Sequence, residues 1–327
     1  MSSDKNEPIL KVEGLCKHFK ISSSEVLKAV DKVSFEVYKK EVVGIVGESG
    51  CGKSTLGRCL LRLYEPTSGK IYYNGKDISG IKTKEQKREF CKNVQMIFQN
   101  PYASLNPRMT VKEIVGEGIK LHQKCSTKEL DGKVLELLNK VGMNKDHMSR
   151  FSHEFSGGQK QRIGIARALS VGPKLIVCDE PISALDVSIQ AQVINMLKKL
   201  QEEMELTYIF VAHDLSVVKY ISNRVIVMYL GMIVEIGETE ELYEHPCHPY
   251  TEAMLSAIPI ADPEKSRIQK SIAIKGEVPS PINPPEACRF AERCPKAQEI
   301  CYHKIPELVE CTQGHSVACH FPIEQEK

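Results

Sequence analysis

The sequence predicts an α/β fold built on a parallel sheet with a glycine-rich loop, followed by a small extension rich in cysteine and proline. Three observations predict it. The apolar run Val42-Val43-Gly44-Ile45-Val46 leads into Gly47-Glu48-Ser49-Gly50-Cys51-Gly52-Lys53-Ser54-Thr55 and then into the helical run 56–61. Two further apolar runs, 175–178 and 208–212, end in Asp179-Glu180 and His213-Asp214. Eleven of the 17 prolines lie from Pro246 onward, and five of the 12 cysteines lie between Cys288 and Cys319.

The loop matches the spacing Gly, four residues, Gly-Lys-Ser, in the strand–loop–helix context that this spacing requires. Its glycines let backbone N–H groups turn inward around phosphate oxygens, and the helix start adds partial positive charge. Lys53 can reach the terminal phosphates, and Ser54 can ligate Mg²⁺.

Upstream, residues 9–13 and 33–37 alternate apolar and polar side chains as half-buried strands do. Phe19, between them, can stack on a nucleotide base or serve as a core residue at a strand end. Turns follow at 66–69 and at Asn74-Gly75. The run 94–98 reads as a strand ending at Gln99-Asn100-Pro101. Leu130, Val134, Leu137, Leu138 and Val141 then recur at helical intervals within 111–142, with Gly142 as the stop. Ser156-Gly157-Gly158-Gln159 opens another strong helical run and so offers a second anion-binding helix start. A parallel strand directs Asp179 and Glu180 at a ligand, Asp179 suited to the Mg²⁺ shell and Glu180 to polarising a water. The stretch 181–186, ending in Asp186, leads into a helix over about 188–204. His213 comes at the same end of the next strand.

These motifs, in this order and over about residues 8–240, resemble the ATP-binding subunit of an ATP-binding-cassette (ABC) transporter. The wording at 99–107, at 183–192 and at His248-Pro249-Tyr250-Thr251 resembles the oligopeptide, dipeptide and nickel importer branch, and within it the F-type ATPase subunit. The resemblance implies a P-loop NTPase fold: a RecA-like core, an antiparallel β subdomain, and an inserted helical subdomain at about 100–160. The nucleotide-binding domain would span 1–243 and the extension 244–327. It implies that Phe19 stacks on adenine and that 47–55 hold the phosphates. Ser54, Gln99 and Asp179 would arrange Mg²⁺, Glu180 would act as general base, and His213 would contact the γ-phosphate. Ser156 to Gln159 would touch ATP held by the opposite subunit, with Asp186 bridging the same interface. Implied partners are a homologous D-type ATPase subunit, two membrane-spanning permease subunits and an extracytoplasmic substrate-binding protein. The chain would sit peripherally on the cytoplasmic face of the membrane. Phe155 stands where leucine is commoner in the family. Cys51 in the loop is open to oxidation if Lys53 stabilises its thiolate.

The extension is too short to build a large core, which makes a metal staple attractive. Gaps of five, six and seventeen residues separate Cys288, Cys294, Cys301 and Cys319, wider than the close pairs of structural zinc. Loose spacing also suits an iron–sulfur cluster, and the resemblance points to a [4Fe–4S] site on these four cysteines. Zinc and reduced thiols remain alternatives. Cys311 is a fifth cysteine, with His303, His315 and His320 as alternative ligands.

The net charge of +2 and the absence of a basic patch argue against nucleic acid as partner. Residues 1–8 are polar and carry no signal peptide, and no apolar run is long enough to enter lipid as a span. Twelve cysteines in such a chain do not read as a disulfide framework. The expected activity is ATP hydrolysis that powers peptide import. The rivals are the same engine on a nickel or other small-solute importer, a soluble ABC ATPase outside transport, and a redox-regulated interaction protein built around the cysteines.

Overall fold

The computed structural model describes residues 7–258, 272, 274 and 276–323, so most of the polar N-terminal stretch 1–8 lies outside the described residues. Two compact units divide the chain. The first comprises Met1–Val37, Val43–Ser79 and Ala212–Lys327; the second comprises Tyr38–Val42 and Gly80–Val211.

In the first unit an antiparallel sheet runs in the order Val26–Val37, Leu10–Lys20, Ser68–Tyr73, Lys76–Asp77. The two long strands pair from Leu10↔Val37 to Lys20↔Val26, with bulges between. They extend well beyond the short alternating segments legible in the sequence, and Phe19 lies within the first of them. The last two strands join through Asn74-Gly75, whose φ values of 47° and 72° make the tight turn this dipeptide favours. A second set of strands runs Val309–Thr312, His315–Val317, Met232–Glu238, Arg224–Tyr229, Val42–Val46. Val42–Val46 is buried along its whole length and runs parallel to Arg224–Tyr229, from Val43↔Arg224 to Val46↔Val227. The extension therefore folds into the same unit as the glycine loop.

In the second unit Val94–Ile97, Leu175–Asp179 and Thr207–Val211 form parallel pairs, and the last two strands are buried at every residue. Burial on both faces explains why they read as continuous apolar runs. Helices fill the rest. The stretch expected to be helical over 111–142 is two helices, Val111–His122 and Thr127–Lys140. Ser126 causes the break: its hydroxyl accepts from Glu129 N while Glu129 accepts from Ser126 N, a reciprocal cap that starts the second helix. Gly142 follows at φ 71°, the left-handed stop anticipated there. Lys84, Lys87 and Arg88 lie on the helix Lys84–Asn93, in which only Phe90 is buried.

Candidate nucleotide site and the cysteine-rich extension

The loop between Val42–Val46 and the helix Lys53–Leu60 is shaped by glycine. Gly47, Gly50 and Gly52 have φ of 149°, 78° and 103°. A Cβ on Gly47 would lie 2.1 Å from Met228 O, and one on Gly52 would lie 2.0 Å from Ala29 O. Both conformation and space thus exclude a side chain. Gly52 is also the helix N-cap and provides no side-chain cap, so orphan N–H groups of the first turn face the loop. Lys53 is buried, and its ammonium donates to Gly47 O at 2.7 Å and Glu48 O at 3.0 Å. These carbonyls hold the charge against the inner wall of the loop. Ser54 and Thr55 follow in the first turn, half-buried.

Cys51 does not behave as anticipated. Burial pushes its thiol pKa up, and the nearby Lys53 ammonium offsets this only in part. A thiol kept protonated is a poor target for oxidation.

Phe19 is half-buried. Its ring meets Tyr64 edge-on at 5.7 Å between centroids, and the Lys17 ammonium lies 4.9 Å from its centre. An open cleft of about 820 Å³ is lined by Gly47, Glu48 and Ser49 together with His213, Asp214 and residues of the helix Pro249–Ser256. The beginning of the loop and the exposed His213 thus share one concavity. Asp214 caps the next helix, Leu215–Ile221, by accepting from Ser216 N and Val217 N.

In the second unit the strand Leu175–Asp179 carries Asp179 at its C-terminal end, 1% exposed. Glu180 turns sharply away at φ 44°, a left-handed backbone uncommon outside glycine. Its N–H donates to Val211 O at 3.0 Å, and its carbonyl accepts from the Ser183 N–H and hydroxyl. These bonds hold the strained turn and aim the carboxylate, which accepts from Gln99 Nε2 at 2.6 Å. The two residues are 81 apart in sequence.

Ser156 and Gln159 cap each other at the start of the helix Gly157–Leu169, Ser156 Oγ accepting from Gln159 N and Gln159 Oε1 from Ser156 N. A Cβ on Gly158 would lie 2.6 Å from Ile189 Cγ2, so close packing also requires glycine there. Asp186 is the N-cap of Val187–Met204, makes no side-chain capping bond, and is exposed beside Val187 at 81% exposure.

Cys288, Cys294, Cys301 and Cys319 line one narrow cavity with His248, Phe290 and His320. Burial is the main reason the Cys288 thiol is pushed up to about 11, with the other three cysteines contributing to the same rise. No three of these four sulfurs lie mutually within 4.8 Å among the described residues. Cys311 is not in this cavity; it lies with Cys247 and His315 instead.

Two arginines between these cysteines had no sequence signal beyond their place in Cys288-Arg289-Phe290-Ala291-Glu292-Arg293-Cys294. Arg293 donates to both carboxylate oxygens of Glu48, at 2.8 and 3.1 Å, and to the Tyr229 hydroxyl. Arg289 donates to Asp31 at 2.6 Å and to Leu230 O. Tyr250, 202 residues from the loop, accepts from Glu48 N at 2.9 Å.

The sequence matches the ABC transporter family over residues 30–183 and the family described as oligopeptide/dipeptide transporter, C-terminal region, over residues 234–301. It is 51% identical to the oligopeptide transport ATP-binding protein AppF of Bacillus subtilis (strain 168), over 98% of this chain and 99% of that one. It is 57% identical to the oligopeptide transport ATP-binding protein OppF of the same organism, over 80% and 86%. Among solved structures, the ATP-binding cassette MJ0796 in a dimeric post-hydrolysis state bound to ADP and Pi is similar. Its TM-score is 0.65 at 28% identity, covering 70% of this chain and 98% of that one. CbiO1 from Clostridium perfringens, part of the ABC transporter complex cbiONQ, gives a TM-score of 0.64 at 28% identity, covering 73% and 92%.

Proposed function

We propose, since this chain belongs to the oligopeptide transport ATP-binding proteins of the ABC transporter family, that it powers the import of di- and oligopeptides by hydrolysing ATP. The observation that carries the ATPase reading is the loop 47–52, with its three positive-φ glycines and Lys53 buried against it. Such a loop presents N–H groups and one cation to a chain of phosphates, and phosphoryl transfer needs mainly positioning and charge stabilisation.

The roles of individual residues follow from the same reading. Phe19 takes the adenine, and 47–55 take the phosphates. Ser54, Gln99 and Asp179 serve Mg²⁺, Glu180 accepts a proton from the attacking water, and His213 contacts the γ-phosphate. The Gln99–Glu180 hydrogen bond supports this, because it fixes the orientation of a carboxylate that must aim at one water. Ser156 to Gln159 and Asp186 face a sister subunit, so that ATP closes two subunits and hydrolysis reopens them. Membrane permease subunits and a substrate-binding protein complete the importer, with the chain peripheral on the cytoplasmic face. The sister is a D-type homologue. Among the described residues no helix is long and apolar enough to cross a membrane.

The four cysteines Cys288, Cys294, Cys301 and Cys319 fit a [4Fe–4S] cluster better than a single zinc ion. They line one cavity, yet their sulfurs are spread more widely than the thiolates around one tetrahedral ion of about 2.3 Å bond length. When bound, such a cluster would supply a structural staple or a redox centre. Iron content and visible absorbance of anaerobically purified protein test this: iron lost in C294S supports it, and an iron-free, colourless parent refutes it.

Reconstitution into vesicles with co-expressed permeases, sister ATPase and binding protein tests the transport reading. ATP-dependent uptake of labelled oligopeptide is the expected result. Uptake of nickel without peptide would move the chain to the other solute class.

A further inference from the structure

Cys247, Cys311 and His315 come from three different segments. They are the loop before the helix Pro249–Ser256, the strand Val309–Thr312 and the strand His315–Val317. The two sulfurs and one ring nitrogen lie within 4.8 Å of one another, the sulfurs 3.4 Å apart. Cys247 and His315 are 2% and 1% exposed, whereas Cys311 is at the surface.

The surroundings of the histidine point to a ligand. Its Nε2 is 2.7 Å from Glu235 Oε1, and Glu235 is itself fully buried and accepts from Cys247 N and His248 N. Nδ1 is buried and has no hydrogen-bond partner. A carboxylate that fixes one ring nitrogen and leaves the other as acceptor is the arrangement that orients imidazole toward a metal. Glu241 Oε1 lies 4.0 Å from Nδ1 and is part-exposed; it stands outside the 4.8 Å group and would swing inward to act as a fourth donor.

We propose that Cys247, Cys311 and His315, with Glu241 completing the set, form a zinc-binding site separate from the four-cysteine cavity. Two thiolates, one imidazole and one carboxylate suit Zn²⁺ among biological cations, and two sulfurs 3.4 Å apart are close to the edge of a zinc tetrahedron. Binding displaces the two thiol protons to solvent, with Glu235 keeping Nε2 protonated as the donor. The ion would pin the hairpin 309–317 to the segment before Pro249–Ser256.

The test uses the full chain purified with reductant under anaerobic conditions, then titrated with Zn²⁺ or Co²⁺. The parent should bind one more ion per chain than C311S and show sulfur-to-cobalt charge-transfer absorbance that C311S lacks. C288S, which leaves this site intact, should retain both signals. Zn²⁺ should raise the melting temperature of the parent and leave that of C311S unmoved. E241Q should weaken binding by about tenfold. Because Cys311 is exposed, C311S should keep the fold, which circular dichroism checks. Equal ion content and equal spectra in the parent and C311S would overturn the proposal. So would a Cys247–Cys311 disulfide in anaerobically isolated protein, found by peptide mapping after alkylation.

Discussion

Arg293 holds both carboxylate oxygens of Glu48, so a residue of the extension fixes the second position of the phosphate loop from 245 residues away. The hydrogen bond to Glu48 is the main reason the Arg293 pKa lies above the ordinary value, although burial opposes it. Arg293 also neutralises a negative charge that would otherwise repel phosphate. R293A should weaken ATP binding by about tenfold and cost about 2 kcal/mol of stability, the scale of a charged hydrogen bond. Nucleotide titration and urea denaturation measure the two effects. Adding E48Q should restore part of the affinity; unchanged affinity in R293A would show that the pair is only structural.

Glu180→Gln should remove the proposed general base while keeping a partner for Gln99. Hydrolysis should fall by about 10²- to 10⁴-fold with ATP affinity retained. Size-exclusion chromatography with ATP should show a longer-lived association with the sister subunit. Hydrolysis at the parental rate would reject Glu180 as the base.

Lys53→Ala deletes the cation held by Gly47 O and Glu48 O. Loss of one charged hydrogen bond to phosphate, about 1.5–3 kcal/mol, should weaken ATP binding by roughly 10- to 100-fold. Equilibrium binding of a fluorescent ATP analogue checks it, and parental affinity would count against the loop as the phosphate site.

Asp31 sets an acid limit on stability. Burial opposes its ionisation, but Lys28 and Arg289 beside it, together with His18, hold its carboxyl below the usual range. A carboxylate with a depressed folded pKa stabilises above the unfolded value of about 3.9, and that stabilisation is lost as pH falls through the folded value. Denaturation midpoints should therefore hold down to about pH 4 from this group and drop below it. D31N should be less stable at neutral pH and show a shallower drop; identical profiles would remove Asp31 from the acid response.

Much of the second unit was legible because the strands Leu175–Asp179 and Thr207–Val211 are buried on both faces and so read as continuous apolar runs. The loop 47–55 was legible because only glycine tolerates the positive φ and the close carbonyls of Met228 and Ala29. The pairs Gln99–Glu180, Arg293–Glu48 and Arg289–Asp31 were not, since each joins residues 81 to 258 positions apart and no local pattern announces a partner at that distance. Strand lengths failed for a related reason. Lys17, His18 and Phe19 break the simple alternation where the register shifts by a bulge. Cys311 could not be separated from the other four cysteines by spacing alone, because Cys247, 64 residues away, reaches it from the loop before Pro249–Ser256 and no local pattern announces it.

The hairpin formed by Val309–Thr312 and His315–Val317 lies alongside Met232–Glu238, with Glu235↔Val317 and Ile236↔Ser316 as partners. It thereby shields the backbone of a strand that would otherwise end the sheet with unpaired amides. A version cut short before residue 309 would display that bare rim to solvent, and bare rims recruit one another. Shortened forms should therefore clump or stack edge to edge even where the ATP-binding half is intact.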